Sequence, residues 1–267
     1  NDELVFYLAY AVSLAGITQA IFLVIFVKKF YKPRFNFDFS KDVRVKLFFK
    51  KLLPSIFSSG VTQINILIGT IIASFQASAV SYLYYADRIY QINLAIAGIA
   101  IGIVILPNLS KYVKLKNYSK INFIQNKSLE LSFFLSLPAA ICLMLGSKEI
   151  TSALFGYGSF DEQSVNNSAI ALFYFSIGLP AFSMIKIFSS FLFARDNTKI
   201  PFYFSLVSVI INISISLSLF NKVGFIIIPI STSISSWVNA IILFVYIYNK
   251  KYFSFRTGAF SIYLRML

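Results

Sequence analysis

Seven long runs of apolar residues, separated by short polar segments, constrain the fold of this chain more than any other feature. A helix needs about 20 apolar residues to cross the hydrocarbon core of a bilayer. Hydrophobic residues make up 58% of the chain and charged residues 13%, which is too little polar surface for a water-soluble protein. The sequence therefore predicts an all-α, polytopic membrane protein with seven transmembrane helices, at residues 4–27, 52–75, 79–107, 128–146, 165–193, 201–220 and 224–248.

Lysine and arginine are divided unevenly between the two sides that these spans would create. If the chain crosses the membrane in alternation, twenty of the 24 basic residues fall on one side, and only Lys148 and Lys222 fall on the other. Basic loops are retained on the cytoplasmic side of a membrane. The asymmetry predicts a cytoplasmic carboxyl end and an amino end outside. The basic side consists of 28–51, 111–127, Arg195 with Lys199, and the residues after Tyr248.

These loops also account for the net charge of +14. Basic clusters beside apolar spans contact anionic lipid head groups, so we expect membrane lipids as partners and no nucleic acid. Residues 38–51 form either a short amphipathic helix at the cytoplasmic interface or a solvated connector. The chain has one cysteine, Cys142, and no histidine. It therefore lacks a disulfide framework and a set of soft metal ligands, and we expect no metal site and no cofactor.

Asp87, Arg88 and Lys186 are ionisable residues inside the predicted spans. A charge at the centre of a transmembrane helix costs about 2.5–3.5 kcal/mol on insertion scales, so such a side chain usually faces a partner or a water-filled cavity. Asp87 and Arg88 are neighbours on one helix and point about 100° apart, so they would contact different surroundings. Either the two residues belong to a functional site, or hydrogen bonds to neighbouring helices satisfy their buried charges. Lys186 has the same two interpretations, since its stem could extend towards the cytoplasmic interface.

The residues from Ser81 to Gln91 read Ser-Tyr-Leu-Tyr-Tyr-Ala-Asp-Arg-Ile-Tyr-Gln. Tyr-Tyr-Ala-Asp-Arg is the most distinctive part, and further motifs follow in order along nearly the whole chain. By these motifs the chain resembles the MurJ/MviN lipid II flippases of the multidrug/oligosaccharidyl-lipid/polysaccharide exporter superfamily. The supporting motifs are Gln63-Ile64-Asn65, Leu137-Pro138-Ala139, Leu154 to Phe160, Gly178-Leu179-Pro180 and Ala194-Arg195.

The resemblance implies a fold of fourteen helices, with six in each of two lobes and two more at the carboxyl end. In that register, residues 1–30 would be the last helix of the first lobe, 31–51 a cytoplasmic connector, and 52–250 the second lobe. Residues 251–267 would be a cytoplasmic tail or the start of the next helix, at 260–267. We therefore expect one six-helix lobe plus one helix, without the first five helices of the family.

The resemblance also implies a function. Such proteins move lipid II, an undecaprenyl-diphosphate-linked muropeptide, from the cytoplasmic to the periplasmic leaflet of the bacterial inner membrane by alternating access, for cell-wall synthesis. Arg88 matches one of the arginines that bind the diphosphate, and its guanidinium suits phosphate oxygens. Asp87 would hold Arg88 or a neighbouring helix in position. We expect a monomeric protein that is not an enzyme. The remaining candidate substrate contacts are Ser81, Tyr85, Gln91 and Lys186.

Some relatives bind sodium in the second lobe through two carboxylates, an Asn and a Thr. The corresponding residues here are Gly69, Asn212, Ser216 and Thr232, so both carboxylates are absent. A hard cation requires several oxygen ligands with compensating charge. We therefore expect no bound metal, and we interpret Asn212 and Thr232 as a vestigial ion site whose side chains form hydrogen bonds between helices.

Two other functional classes fit a chain with seven membrane spans. A membrane-embedded enzyme, such as a lipid phosphatase, needs clustered acids, bases or metal ligands near a membrane face, but Asp161 and Glu162 have no His or clustered Asp nearby. A related exporter of polysaccharide lipids or drugs would share the architecture and differ mainly in the lining of its cavity. The Tyr-Tyr-Ala-Asp-Arg motif favours the lipid II flippase over this exporter.

Overall fold

The computed structural model describes residues 2–30 and 63–255. Within these ranges it contains helices and turns and no β-strand, so the predicted all-α fold is confirmed. The chain divides into two units, Asn1–Lys50 and Lys51–Leu267. The predicted interfacial segment 38–51 and the predicted helix start at 260–267 lie outside the described residues.

Helix α1 (Asp2–Phe30) is the described part of the first unit. Its apolar portion, Ala9–Lys28, is long enough to cross a bilayer, in agreement with the span predicted at 4–27. The side chains described along α1 are exposed on every face. An apolar helix exposed all round is stable only where lipid or other protein surrounds it.

The second unit is a bundle of helices connected by short turns. A single π-helical turn, Ala95–Ala100, joins α3 to α4, and a 3₁₀ turn, Gly224–Ile226, joins α8 to α9. The helices are α2 (described over Gln63–Ser74), α3 (Ala79–Leu94), α4 (Ile101–Lys114), α5 (Tyr118–Leu145), α6 (Ser147–Phe155), α7 (Glu162–Phe193), α8 (Lys199–Val223) and α9 (Ile227–Asn249).

Helix α7 lies at the centre of this unit and packs against α3, α4, α5, α6 and α9. It contributes to two apolar clusters, one around Leu172 and Leu179 and the other around Phe188 and Phe191, and all four side chains are buried. Helices in a membrane associate through close packing rather than through the exclusion of water. The central position of α7 therefore holds α3, and the charged residues on it, at a fixed place in the bundle.

Small residues allow the helix backbones to approach one another closely. A Cβ atom added at Gly98 would lie 2.9 Å from Cα of Ser183, and one added at Gly178 would lie 2.8 Å from Oγ of Ser233. Both distances are shorter than a carbon–carbon or carbon–oxygen contact allows. Contacts between small residues of this kind are typical of membrane helix interfaces. They fix α7 against the π turn on one side and against α9 on the other.

The π turn interrupts the regular hydrogen bonding of a helix that runs from Ala79 to Lys114. Such a turn leaves a carbonyl group without its usual partner. Ser132 of α5 donates its hydroxyl to the carbonyl oxygen of Ala97 at 2.9 Å, and Ser190 of α7 donates to that of Gly102 at 3.2 Å. Two neighbouring helices therefore donate hydrogen bonds to one carbonyl within the π turn and to one just after it.

Five segments of the described chain are long and apolar enough to cross a membrane. The last of them, Lys199–Asn249, contains both α8 and α9, which pack against each other and correspond to the sixth and seventh predicted spans. The second predicted span, 52–75, is described only over Gln63–Ser74. The other four segments are Ala9–Lys28, Ala79–Lys114, Tyr118–Leu145 and Glu162–Phe193.

Two predicted connections differ from the structure. The loop expected at 111–127 shortens to 115–117, because α4 continues to Lys114 and α5 begins at Tyr118, where the side chain of Asn117 accepts the backbone N–H of Lys120 at 3.1 Å. Polar residues can continue a helix once it leaves the bilayer, so hydropathy alone ends these spans too early. The short helix α6, Ser147–Phe155, was also not predicted.

Candidate functional site

Helix α3 presents one polar, exposed face and one buried face. Positions three or four residues apart share a face of a helix, which places Ser81, Tyr84, Arg88 and Gln91 together on the exposed face. The opposite face packs into the bundle. Its buried residues are Ala79, Leu83, Ala86, Ile89, Tyr90 and Leu94.

Arg88 lies on the exposed face with most of its hydrogen-bonding capacity unused. Its Nη2 donates to the hydroxyl of Tyr84 at 2.9 Å, and its Cζ lies 4.5 Å from the centre of the Tyr84 ring. Among the residues that the structure describes, no carboxylate forms an ion pair with Arg88. A guanidinium carries five N–H donors. Tyr84 therefore orients the group and leaves several donors available for an anion.

Asp87 is partly buried beside Arg88 and accepts a hydrogen bond from Nε2 of Gln91, one turn further along α3. In the sequence we expected Asp87 to hold either Arg88 or a neighbouring helix. Its hydrogen bond in the structure is instead to a residue of its own helix. Gln91 thus contacts the carboxylate, and the two adjacent charges have separate partners.

Ser81 and Tyr85 lie at a cleft between α3, the end of α6 and the start of α7. The volume of this cleft, called the α3–α6–α7 cleft below, is about 430 Å³. The ring of Tyr85 lies 4.7 Å from that of Phe155 and 4.8 Å from that of Phe160, measured between ring centres. The sequence motif from Leu154 to Phe160 therefore supplies one wall of a site, a role that its sequence did not indicate.

Lys186 lies far from Arg88. Its side chain is exposed, and its backbone oxygen would lie 3.4 Å from a Cβ atom added at Gly102 of α4. Gly102 follows Arg88 by fourteen residues, which corresponds to about 21 Å along a helix axis. The structure therefore does not bring Lys186 together with Arg88, and the candidate substrate residues do not form one cluster.

Asn212 of α8 is buried and connects three helices. Its Nδ2 donates to Oδ1 of Asn65 on α2 at 2.9 Å and to Oγ1 of Thr232 on α9 at 3.3 Å. Its Oδ1 accepts from Ser231 at 2.6 Å and from Ser216 at 3.3 Å. Hydrogen bonds between helices therefore occupy the whole amide group, as expected for Asn212 and Thr232. Ser231 and Asn65, the latter part of the Gln63-Ile64-Asn65 motif, belong to the same network, and neither was a predicted site residue.

The network around Asn212 does not fit a cation site, because all five of its side chains are uncharged and a hard cation needs compensating negative charge. Gly69, which takes the place of a carboxylate, would have its Cβ atom only in ordinary contact with Ile228, at 3.7 Å. Within residues 2–30 and 63–255, no group of three or more His, Cys, Asp or Glu side chains is placed to hold a metal ion.

Glu130 is a carboxylate inside the predicted fourth span, and it was not among the predicted site residues. It is 8% exposed, and its Oε2 pairs with Nζ of Lys127 at 3.2 Å, one turn earlier on α5. A charged residue in an apolar run was the available signal. Because the ammonium group of Lys127 remains exposed, the pair is typical of a helix that leaves the apolar region.

Comparisons with known proteins place this arrangement in a family. The model of the family described as "Lipid II flippase MurJ" matches residues 1–266. A "Probable lipid II flippase MurJ" from Rhizobium meliloti (strain 1021) is 37% identical over 243 residues, which are 89% of this chain and 44% of that protein. One from Rickettsia prowazekii (strain Madrid E) is 38% identical over 234 residues, 87% of this chain and 46% of that protein. The chain spans about half the length of the curated relatives it matches.

Solved structures share the fold. A structure of "Lipid II flippase MurJ, inward closed conformation" has a TM-score of 0.71 and 24% identity, and the match covers 90% of this chain and 49% of that one. An outward-facing multidrug resistance MATE family transporter of the MOP superfamily has a TM-score of 0.66 and 13% identity, with 80% and 49% covered. The predicted transporter fold is confirmed. With a family model that matches almost its whole length and helices long enough to cross a bilayer, this chain is an integral membrane protein that belongs to the lipid II flippase MurJ family.

Proposed function

We propose that this chain provides the second lobe, and the last helix of the first lobe, of a flippase that moves lipid II across the bacterial inner membrane. Family membership supports the substrate class, and the division of helices follows the register of residues 1–30 and 52–250 given above. Translocation requires no covalent chemistry, so the protein acts as a transporter and not as an enzyme.

The observation that carries the proposal is the state of Arg88. This residue is exposed within a membrane-spanning helix, donates a hydrogen bond to Tyr84, forms no ion pair with a described carboxylate, and retains free donors. A diphosphate is a suitable partner, because a guanidinium binds phosphate oxygens bidentately and stays charged at any physiological pH. Arg88 therefore binds the diphosphate of the substrate, while Asp87 and Gln91 order the adjacent surface of α3.

The orientation follows from the charge of the loops. Twenty basic residues on one side and two on the other support a cytoplasmic carboxyl end and a periplasmic amino end. The substrate then enters from the basic, cytoplasmic side and leaves on the side of the α6–α7 turn. We propose a monomer as the working unit, since one lobe pair encloses one substrate path.

A chimera tests this function. The matched part of the Rhizobium meliloti relative is replaced by this chain, and the chimera is expressed in a strain depleted of its own lipid II flippase. The unaltered chimera restores growth, and Arg88→Ala abolishes rescue at equal protein level. Arg88→Lys rescues partially, since lysine keeps the charge and loses the bidentate geometry. The matched control is Lys222→Ala, which removes an exposed basic residue at the end of α8.

The affinity of the chain for undecaprenyl diphosphate provides a second test, which does not depend on the chimera. In lipid nanodiscs, Arg88→Ala weakens binding of undecaprenyl diphosphate by about ten- to a hundredfold, the equivalent of losing a hydrogen bond to a charged group. Normal rescue by Arg88→Ala, or unchanged binding of undecaprenyl diphosphate, contradicts the proposal. If Lys222→Ala fails as Arg88→Ala does, the effect belongs to net charge and not to a site.

A further inference from the structure

The α3–α6–α7 cleft is built from aromatic rings and hydroxyl groups. Ser81 and Tyr85 come from α3, Phe155 and Phe160 from the end of α6 and the following turn, and Ser164 from α7. Among the residues of 2–30 and 63–255, no charged side chain lines the cleft. Its volume of about 430 Å³ falls in the range of roughly 300–1,000 Å³ that is typical of small-molecule sites.

This lining suits one kind of ligand. Aromatic faces pack against the apolar C–H faces of a ring, and serine and tyrosine hydroxyls donate and accept hydrogen bonds. A sugar ring presents C–H groups on its faces and hydroxyls around its edge. A diphosphate requires cationic partners, which the described lining of this cleft lacks, and an acyl chain would leave the hydroxyl of Ser81 without a partner.

Two buried hydroxyl groups lie one helical turn from the lining. Thr151 precedes Phe155 by four residues, and Ser168 follows Ser164 by four, so each lies on the same helix face as a lining residue. Both side chains are fully buried, and neither hydroxyl has a hydrogen-bond partner. A buried hydroxyl without a partner costs about 1–3 kcal/mol. Two buried hydroxyls without partners therefore neighbour the lining residues along their helices, although neither of them lines the cleft.

The cleft is aligned with Arg88 along α3. Tyr85 lies three residues before Arg88, and Ser81 lies seven residues before Arg88. These spacings correspond to about 4.5 Å and 10 Å along the helix. These short spacings let one ligand contact Arg88 through its diphosphate and the cleft through the sugar bonded to that diphosphate. We propose that the α3–α6–α7 cleft binds the uncharged sugar nearest the diphosphate of the transported lipid, with Tyr85 packing against a face of the ring. This inference rests on the proposed function and adds a second contact point to it.

Two lipids, one with sugars and one without, distinguish the contribution of this cleft to binding from that of Arg88. The chain in nanodiscs is titrated with undecaprenyl diphosphate, which has no sugar, and with lipid II, and bound lipid is measured by native mass spectrometry. Lipid II binds more tightly. Tyr85→Leu and Phe160→Leu weaken lipid II binding by about fivefold, the value of an aromatic contact, and leave undecaprenyl diphosphate unchanged. Arg88→Ala weakens both lipids.

Controls keep the result independent of folding. Tyr85→Phe retains the ring and should keep most of the affinity for lipid II, and Tyr203→Leu removes an exposed aromatic side chain of α8 away from the cleft. Equal affinity for the two lipids, or equal losses for both in Tyr85→Leu, overturns the sugar site and leaves the function of Arg88 standing. If the unaltered chain binds neither lipid, the proposed function fails, and the sugar site fails with it.

Discussion

Replacing Asn212 with alanine tests whether a buried amide holds the α2, α8 and α9 helices together. The substitution removes three hydrogen bonds between helices, to Asn65, Thr232 and Ser231. Hydrogen bonds between membrane helices contribute on average about 0.6 kcal/mol each. We therefore expect a loss of about 2 kcal/mol in the free energy of unfolding.

The average value is appropriate because two of the partners, Ser216 on α8 and Ser231 on α9, keep other bonds. Ser231 also donates to the backbone oxygen of Ile228 at 3.0 Å and lies 2.7 Å from the hydroxyl of Ser216. These groups therefore remain satisfied when the amide of Asn212 is absent. A loss of about 2 kcal/mol lowers the melting temperature of a chain of this size by about 4–8 °C.

The measurement is thermal unfolding of the purified chain in detergent, followed by circular dichroism. Ser208→Ala is the matched control, because Ser208 makes one hydrogen bond from α8 to α9, to the backbone oxygen of Ser235 at 2.9 Å. It should lower the melting temperature by about 1–3 °C. A double-mutant cycle between Asn65→Ala and Asn212→Ala should give a coupling energy near 0.6 kcal/mol.

One pattern of results would refute this reasoning. If Asn212→Ala has the same melting temperature as the unaltered chain, or lowers it by no more than Ser208→Ala does, the amide does not hold the three helices together. A coupling energy of zero between Asn65 and Asn212 would show that their 2.9 Å hydrogen bond contributes nothing to stability.

Two further predictions concern packing and capping. Gly98→Ala should destabilise the chain by about 1–3 kcal/mol, because its Cβ would lie 2.9 Å from Cα of Ser183. Gly16→Ala should be neutral or stabilising, because a Cβ added there would meet no atom within 4 Å. Equal melting temperatures for the two variants would contradict this prediction. Asp161 caps α7 by accepting the backbone N–H of Ser164 at 2.8 Å. Hydrogen bonds from the hydroxyl of Ser164 and then from its backbone N–H lower the pKa of the Asp161 carboxyl. A lowered pKa contributes stability above the pKa of the unfolded chain, which is lost as the pH falls through the folded value. Asp161→Ala should therefore melt lower than the unaltered chain at pH 7, with a difference that shrinks in acid, and a difference independent of pH would refute the role of the carboxylate.

The helices themselves were largely predictable. The span expected at 165–193 appears as α7, Glu162–Phe193, and the spans at 201–220 and 224–248 appear as α8 and α9. Errors fall where helices leave the bilayer, as in α5, which begins ten residues before its predicted span. Helix formation outside the membrane depends on caps such as Asn117 and not on hydropathy.

The candidate site was predictable only in part. Charge in an apolar run indicated Arg88, because placing a charge in the membrane is costly enough to need a reason. The same argument applied to Lys186, yet about 21 Å of helix separates the two positions. The cleft beside Tyr85 depends on Phe155 and Phe160, some seventy residues further along the chain, and no pattern within α3 indicates their position.

The sequence alone determined that the chain is an all-α membrane protein, and it predicted seven spans and an orientation from its basic loops. Each of these properties depends on the transfer of one segment at a time into hydrocarbon or water, so local composition decides it. Only the tertiary structure decided which face of α3 stays open, which residues complete the α3–α6–α7 cleft, and that Asn65, Asn212 and Ser231 share one network. These depend on contacts between helices distant in sequence, where close packing of small residues sets the geometry.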